Sequence, residues 1–447
     1  MENSRFTFID LFSGIGGFHL GLEFFGGRCL LASEIDLETR KTYFNNHLLM
    51  PLGDVRDIPE DSVPDHDILC AGFPCQAFSV SGKQKGFEDK RGTLYFEVER
   101  IAKHKKPKVL FLENVKNFLN HNEGQTFQTV LDSLHALNYD VYYDVLNSYD
   151  FGLPQVRKRA YIVAFRKDLG VKDFKFPKKS ELFVAKKIST INEVLQRLKP
   201  EEEKQLLIKR TDIFITKKDR QVKRINKPYQ VGKINKGGQG ERIYSRFAPG
   251  ITLSAMGGGA GAKTGAYLIR GKIRRLHPKE CLRMQGFPPR FKLSPKTSIS
   301  YRQLGNAVSV PVVKAISLEI LKCLQIQYQD SIDRQIFPED PEIQMDHEQD
   351  FEPSSTKEKE SHVIYKQEDQ LSKIIDEKLD SLFPSPLDHS FGGSINAAIN
   401  ESWTQVKTIV ENDIDDSFHF SIDESYLKIA RKDFDPAIDG WQELPLY

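Results

Sequence analysis

The chain has 447 residues, 39% apolar and 28% charged, with a formal net charge of +2. That length exceeds one ordinary domain; no apolar run long enough to span a bilayer and no signal peptide are read, so a cytoplasmic protein without a membrane partner is expected. Five cysteines, an odd number with no CxxC spacing, argue against a disulfide framework or a zinc site and for a reducing compartment, and no metal is expected.

In chain order, FTFIDL (Phe6 to Leu11) reads as a strand, followed by the glycine loop FSGIGGF and a helical pattern from Phe18 to Phe25. Gly14, Gly16 and Gly17 let backbone N–H groups approach a ligand closely. The dinucleotide fingerprint is not met, because His19 stands where its third glycine belongs. A second strand, CLLASE, ends on Glu34, spaced to accept hydrogen bonds from ribose hydroxyls. Asp54, in GDVRD, opens a further loop. Alone, these features fit a plain strand–turn–helix equally well.

HDILCAG (His66 to Gly72) reads as a buried strand stopped by Gly72 and Pro74. Cys75 then stands at the carboxyl end of that strand, where open α/β sheets place ligands. A thiolate there is exposed and able to attack, although a Pro-Cys pair by itself is as readily a small buried apolar residue. The stretch from Ser79 to Gly92 carries three glycines among Ser81, Lys83, Gln84 and Lys85, a composition that suits either a closing lid or a solvated loop.

PKVLFLENVKNF reads as a strand ending in Glu113 and Asn114. The pair is either a carboxylate whose pKa a pocket raises, and so a general acid, or a helix cap. In GLPQVRKRAYIVAF, Arg157 and Arg159 alternate just before a strand and are expected to share one face. Two guanidiniums there suit a planar polar ligand or a phosphate, with solvated surface charge as the alternative.

Residues 1–178 alternate strands and amphipathic helices, as a parallel α/β sheet does. Residues 179–275 are rich in lysine, arginine and glycine, with few long helical patterns, which suits short strands and loops against a duplex. Residues 276–330 include a helical stretch, Val308 to Leu324, that returns to the first domain. Residues 331–365 read as an acidic disordered linker, and 366–447 as a small acidic module of unassigned function. Residues 331–447 hold 10 Lys and Arg against 27 Asp and Glu, leaving 54 against 35 in residues 1–330. The basic part suits a phosphate backbone, whereas the acidic tail repels one.

The blocks DLFSGIGGF, GFPCQAFSVSGKQKGFED, ENVKNF, PQVRKR, GKINKGGQGERIYSR, RRLHPKECLRMQGFP and QLGNAVSVPV follow in that order from about residue 5 to 326. In these the chain resembles the DNA (cytosine-5)-methyltransferases, and among them bacterial members of restriction–modification systems that recognise GCGC. The resemblance implies a Rossmann-like catalytic domain binding S-adenosylmethionine, a smaller β/loop target-recognition domain, and an acidic C-terminal extension outside the family. It implies Cys75 as the nucleophile that adds to cytosine C6, with Pro74 orienting its loop. Glu113 would protonate or hydrogen-bond N3, and Arg159 would hold O2, with Arg157 beside Glu113 and the target phosphate. For the cofactor it implies Phe12 packing on adenine, Gly14, Gly16 and Gly17 at the methionine end, Glu34 on the ribose, Asp54 on the adenine amino group, and Asn306 in the pocket wall. For DNA it implies Ser81 filling the gap left by a flipped base, Gln239 and Arg242 reading the major groove and filling that gap, and Thr252 in a Thr-Leu pair. Flipping itself costs a few kcal/mol.

Ile35 and Met256 depart from the tryptophan and tyrosine of a GCGC-recognising member, which puts cofactor stacking and one DNA contact in question. The expected partner is double-stranded DNA, with a cognate restriction endonuclease sharing the site without contact; the expected state is a monomer. Two other readings stay open. A tRNA cytosine-5 methyltransferase shares the Pro-Cys-Gln block but carries a CFT-type motif not found here. A DNA-binding regulator without catalysis would be expected to lack Cys75, Glu113 or Arg159.

Overall fold

A computed structural model describes residues 5–74, 94–178, 190–217 and 226–326, all within one compact unit, Glu2–Gln344. Its first half builds β1 (Phe6–Leu11), α1 (Gly17–Glu23), β2 (Gly27–Ser33), α2 (Leu37–His47), β3 (Ile68–Ala71), α3 (Leu94–Lys105), β4 (Val109–Val115), α4 (Gln125–Ala136), β5 (Tyr139–Asn147) and β6 (Lys158–Arg166). The strand order is β2-β1-β3-β4-β6-β5. Strands β2, β1, β3 and β4 are parallel. β6 is antiparallel to both β4 and β5, so the sheet is mixed rather than wholly parallel. The cause is connection length: residues 148–157 are too few for a crossover helix, so β6 turns back as a hairpin and inserts between β4 and β5.

Both faces of this sheet are covered, which explains the near-continuous apolar runs. Ile9, Leu11, Leu69, Leu110 and Leu112 pack on one side with Val98 and Ile101 of α3 and Val130 of α4. Phe8, Phe111, Val163 and Phe165 pack on the other with Phe18 and Leu22 of α1.

The second half forms α5 (Pro200–Leu206) and a five-stranded sheet of β7 (Ile213–Ile215), β8 (Gln230–Ile234), β9 (Arg242–Ser245), β10 (Ala266–Ile269) and β11 (Lys272–Arg274), in the order β11-β10-β9-β8-β7. β9 and β10 pair in parallel, because the long segment 246–265 carries the chain back to the same end. A small core of Val231, Ile234, Ile243 and Ala266 holds this sheet together.

The chain then returns through α6 (Pro278–Gln285), α7 (Thr297–Asn306) and α8 (Val310–Cys323). α8 seats against α1, and the approach is close enough that a Cβ on Gly21 would stand 2.3 Å from Val313 Cγ1. By length and composition alone, Thr297–Cys323 would pass as a membrane span. However, 83% of its apolar window is buried inside the protein, and the backbone leaves helical geometry at Ala307, the behaviour of a core segment. Where β11 meets α6, Arg274 grips Glu280 through two 2.8 Å bonds, both side chains buried. Glu280 also accepts from the backbone of His277 (2.7 Å) and Gln196 (3.2 Å), bonds that offset part of the pair's desolvation.

Candidate active site

The carboxyl ends of β1 and β2 form one wall. Past Leu11, Phe12 adopts φ 55°, and the next turn is tied down residue by residue. Ser13 N donates to Ser33 O at 2.9 Å and Gly16 N to Ser13 O at 2.9 Å. Gly14 N donates to Glu34 Oε2 at 3.1 Å, while the other oxygen of Glu34 accepts from Asp36 N at 2.9 Å. Burial pushes the Glu34 carboxyl up from its ordinary value and these backbone bonds pull it back. Each oxygen keeps a second lone pair for an incoming hydroxyl. Gly16, at φ 87°, caps α1. Leu52 N donates to Ala32 O (2.8 Å) and Glu34 N to Leu52 O (2.9 Å), which brings the Asp54 loop alongside. There Asp54 is paired with the Arg56 guanidinium, which holds its carboxyl below the usual range. Ile35 projects with 68% exposure, an apolar surface beside Glu34. Asn306 is exposed at the end of α7. Two residues on, the Val308 carbonyl oxygen would lie 2.7 Å from a Cβ on Gly17, so this segment abuts the glycine turn.

The second wall is built from β3, β4 and β6. Ala71 pairs with Leu112, so Gly72, Phe73 and Pro74 run beside Glu113 and Asn114. Asn114 Nδ2 donates to Phe73 O at 3.4 Å, and a Cβ on Gly72 would be 3.9 Å from Glu113 Oε2. Cys75 and Ser81 lie outside the described residues. Glu113 lies inside β4, which runs on through Val115, so a helix cap is not its role. It is 8% exposed, and its Oε1 sits 3.2 Å from Arg159 Nε, an ion pair at the mouth of the strands. Oε1 makes no hydrogen bond to a described residue. Burial raises the Glu113 carboxyl, opposed first by Arg159 and then by Arg157. A buried carboxyl raised in this direction is a candidate general acid.

The two arginines both act on Glu113 but make different bonds. Arg159 lies on β6, opposite Val115, but Arg157 precedes the strand and the alternation does not reach it. Arg157 is 2% exposed, and its guanidinium donates to three carbonyls: Leu253 (3.2 Å), Gly305 (3.2 Å) and Ala307 (2.9 Å). In this structure Arg157 is a clamp between the recognition segment and the segment around Asn306, and its burial excludes solvated surface charge.

Around that clamp runs a buried polar network that sequence reasoning did not assign. Gln155 accepts from Leu253 N (3.0 Å) and donates to Met284 O (3.1 Å). Gln285 donates to Leu304 O (2.8 Å) and accepts from Ser309 Oγ (2.8 Å). The available signal was a glutamine set in each of two otherwise uncharged, largely apolar stretches, GLPQV and MQGF, because a buried amide must find partners. Thr252 belongs to the same seam and donates to Val156 O at 2.7 Å. Gln239 and Arg242 are exposed at the β8–β9 turn and the start of β9. The neighbouring glycine segment docks on that turn through Gly261 N to Gly240 O (2.8 Å), and Met256 is 66% exposed.

The family model for C-5 cytosine-specific DNA methylase matches residues 6–322. The chain is similar to the Type II methyltransferase M.HhaI of Haemophilus parahaemolyticus, 48% identical over 313 residues that cover 70% of this chain and 93% of that protein. It is 39% identical over 321 residues to the Type II methyltransferase M.HaeII of Haemophilus aegyptius, covering 71% and 93% of the two chains. Among solved structures it resembles the Entamoeba histolytica methyltransferase EhMeth (TM-score 0.54, 19% identity, 71% of this chain and 98% of that one). It also resembles the S. pombe Dnmt2 methyltransferase (TM-score 0.53, 18% identity, 72% and 99%). At those identities the structural likeness speaks for the fold alone.

Proposed function

The chain belongs to the family of C-5 cytosine-specific DNA methylases and is a DNA (cytosine-5)-methyltransferase, and from that premise we propose that Cys75, Glu113 and Arg159 act together on a cytosine flipped from duplex DNA. The Cys75 thiolate adds to C6, with Pro74 fixing the direction of its loop. Glu113 delivers a proton to N3 as the carbon–sulfur bond forms, which leaves C5 nucleophilic. Arg159 holds the carboxyl of Glu113 in place and offers its remaining N–H groups to O2. After methylation the C5 proton is lost to solvent, the thiolate leaves and the N3 proton returns to the Glu113 carboxylate, restoring the ring and the acid. Cysteine suits the first step because its thiolate is nucleophilic and yet a competent leaving group.

The donor set at the ends of β1 and β2 fits S-adenosylmethionine. Glu34 presents fixed carboxylate oxygens to ribose hydroxyls, Asp54 an acceptor to an amino group, and Phe12 and Ile35 apolar surface to a planar ring. The glycine turn and Asn306 would take the methionine end. When bound, this cofactor supplies an electrophilic methyl carbon. Gln239, Arg242, Thr252 and Ser81 would meet the DNA, with Arg242 reading guanine, and the recognition site would be GCGC or a longer sequence containing it, as in a restriction–modification system. We read the enzyme as a cytoplasmic monomer of bacterial type.

The observation that carries this reading is the buried Glu113 carboxyl, raised by burial, 3.2 Å from Arg159 and beside the Phe73–Pro74 backbone that leads to Cys75. The test is labelled-methyl transfer to duplexes holding GCGC in varied flanks, against scrambled DNA and tRNA. Incorporation at the inner cytosine is expected, and Cys75→Ser should abolish it while DNA is still bound. Turnover by Cys75→Ser would refute the nucleophile. Transfer to tRNA alone would overturn the substrate.

A further inference from the structure

His47 closes α2, well away from the chemistry, yet it touches the glycine turn at two places. Its Nε2 lies 3.3 Å from the Ile15 carbonyl oxygen. It also fills the space beside Gly16, where a Cβ would stand 2.2 Å from that same nitrogen. The ring is held by a stack on His19 (centroids 4.1 Å, planes 24° apart) and by Tyr43 and Phe291 at 4.5 and 6.1 Å. His19 in turn is fixed by the Tyr43 hydroxyl at 2.6 Å.

A carbonyl can only accept, so Nε2 must carry the proton. Burial, and the neighbouring His19, push the His47 pKa down to about 3; Glu23 faces the same pair from α1. The imidazole therefore stays a neutral donor at working pH. His19, Glu23 and His47 do bring ligand-type atoms within 4.8 Å of one another. With the rings stacked, however, their in-plane lone pairs run side by side instead of converging on one ion. The geometry is that of a wedge.

We propose that His47 is a positioning residue for the methyl-transfer reaction, holding the Gly14–Gly17 turn in the shape that receives the methionine end of the cofactor. It acts through Ile15 and Gly16. Other ties on the turn come from Ser33, Glu34, Ser13 and Leu20; His47 supplies a tie from α2. The inference rests on the reading that this turn holds S-adenosylmethionine.

Full-length wild type, His47→Phe and His47→Gln are compared for S-adenosylmethionine Kd by calorimetry and for KM and kcat on duplex DNA. Phenylalanine keeps the ring but loses the donor, and glutamine restores an N–H near the position of Nε2. One lost hydrogen bond is worth about 0.5–1.5 kcal/mol, so His47→Phe should weaken cofactor binding and raise its KM by roughly 3–10-fold. The KM for DNA and kcat should stay within about twofold, and His47→Gln should recover most of the loss. If His47→Phe does not fold, His47→Gln is set against His47→Ala, which should show the full loss. Unchanged cofactor affinity in a folded donor-less variant overturns the proposal, as does an equal loss in kcat and in both KM values. Wild type that binds no S-adenosylmethionine would instead sink the reading of the turn itself.

Discussion

Replacing Arg157 by methionine should cost about 3–5 kcal/mol of folding stability and leave the salt dependence of DNA binding unchanged. The side chain is buried, so solvent does not screen its bonds, and it donates to Leu253, Gly305 and Ala307 at 2.9–3.2 Å. A hydrogen bond from a charged donor contributes about 1.5–3 kcal/mol, and an orphaned buried carbonyl costs about 1–3 kcal/mol. Three such bonds share one guanidinium and are lost together, so they do not add fully, and methionine fills much of the volume; a value toward the low end of the roughly 3–9 kcal/mol that three orphaned carbonyls would sum to follows. Lysine, a point donor without the fork, should fall between wild type and methionine. Urea unfolding of the full chain reads the first half of the prediction, as a lower midpoint at constant slope. Binding to a duplex across salt concentrations reads the second, because a lost phosphate contact would lower the log–log slope by about 0.9. A stability loss below about 1 kcal/mol, or a slope change of that size, would refute the clamp and return Arg157 to the DNA backbone.

The Arg159–Glu113 pair predicts a pH effect. Burial holds the Glu113 pKa above its unfolded value, so its protonated form contributes stability that is present below the unfolded pKa and lost as pH rises through the folded one. Arg159 is the largest influence opposing that rise, so Arg159→Ala should move the alkaline limb of the pH–rate profile to higher pH, whatever it does to the maximal rate; a shift toward lower pH contradicts the assignment. Arg242→Ala should relax discrimination at one base pair by about 1–3 kcal/mol, seen as methylation of single-mismatch duplexes at rates nearer the cognate one. Uniform weakening across all duplexes would make Arg242 a backbone contact instead.

Much of the catalytic sheet is written locally in this chain. Apolar runs stopped by glycine or proline mark β1, β3 and β4, because a fully buried strand admits few polar residues and its ends need turn chemistry. Glu34 and Glu113 stood out for the same reason, as carboxylates where such runs give out or break. What no local pattern carries is the destination of a side chain across the fold. Arg157 and Arg159 are two residues apart, yet one meets Glu113 and the other meets carbonyls at 253, 305 and 307. That division exists only because α6, α7 and α8 return the end of the described chain to its beginning. The same return brings Val308 against Gly17. The antiparallel insertion of β6 and the seating of His47 under Gly16 are likewise facts of packing, since hydrogen-bonding groups far apart in sequence find one another only when the buried surfaces between them have closed.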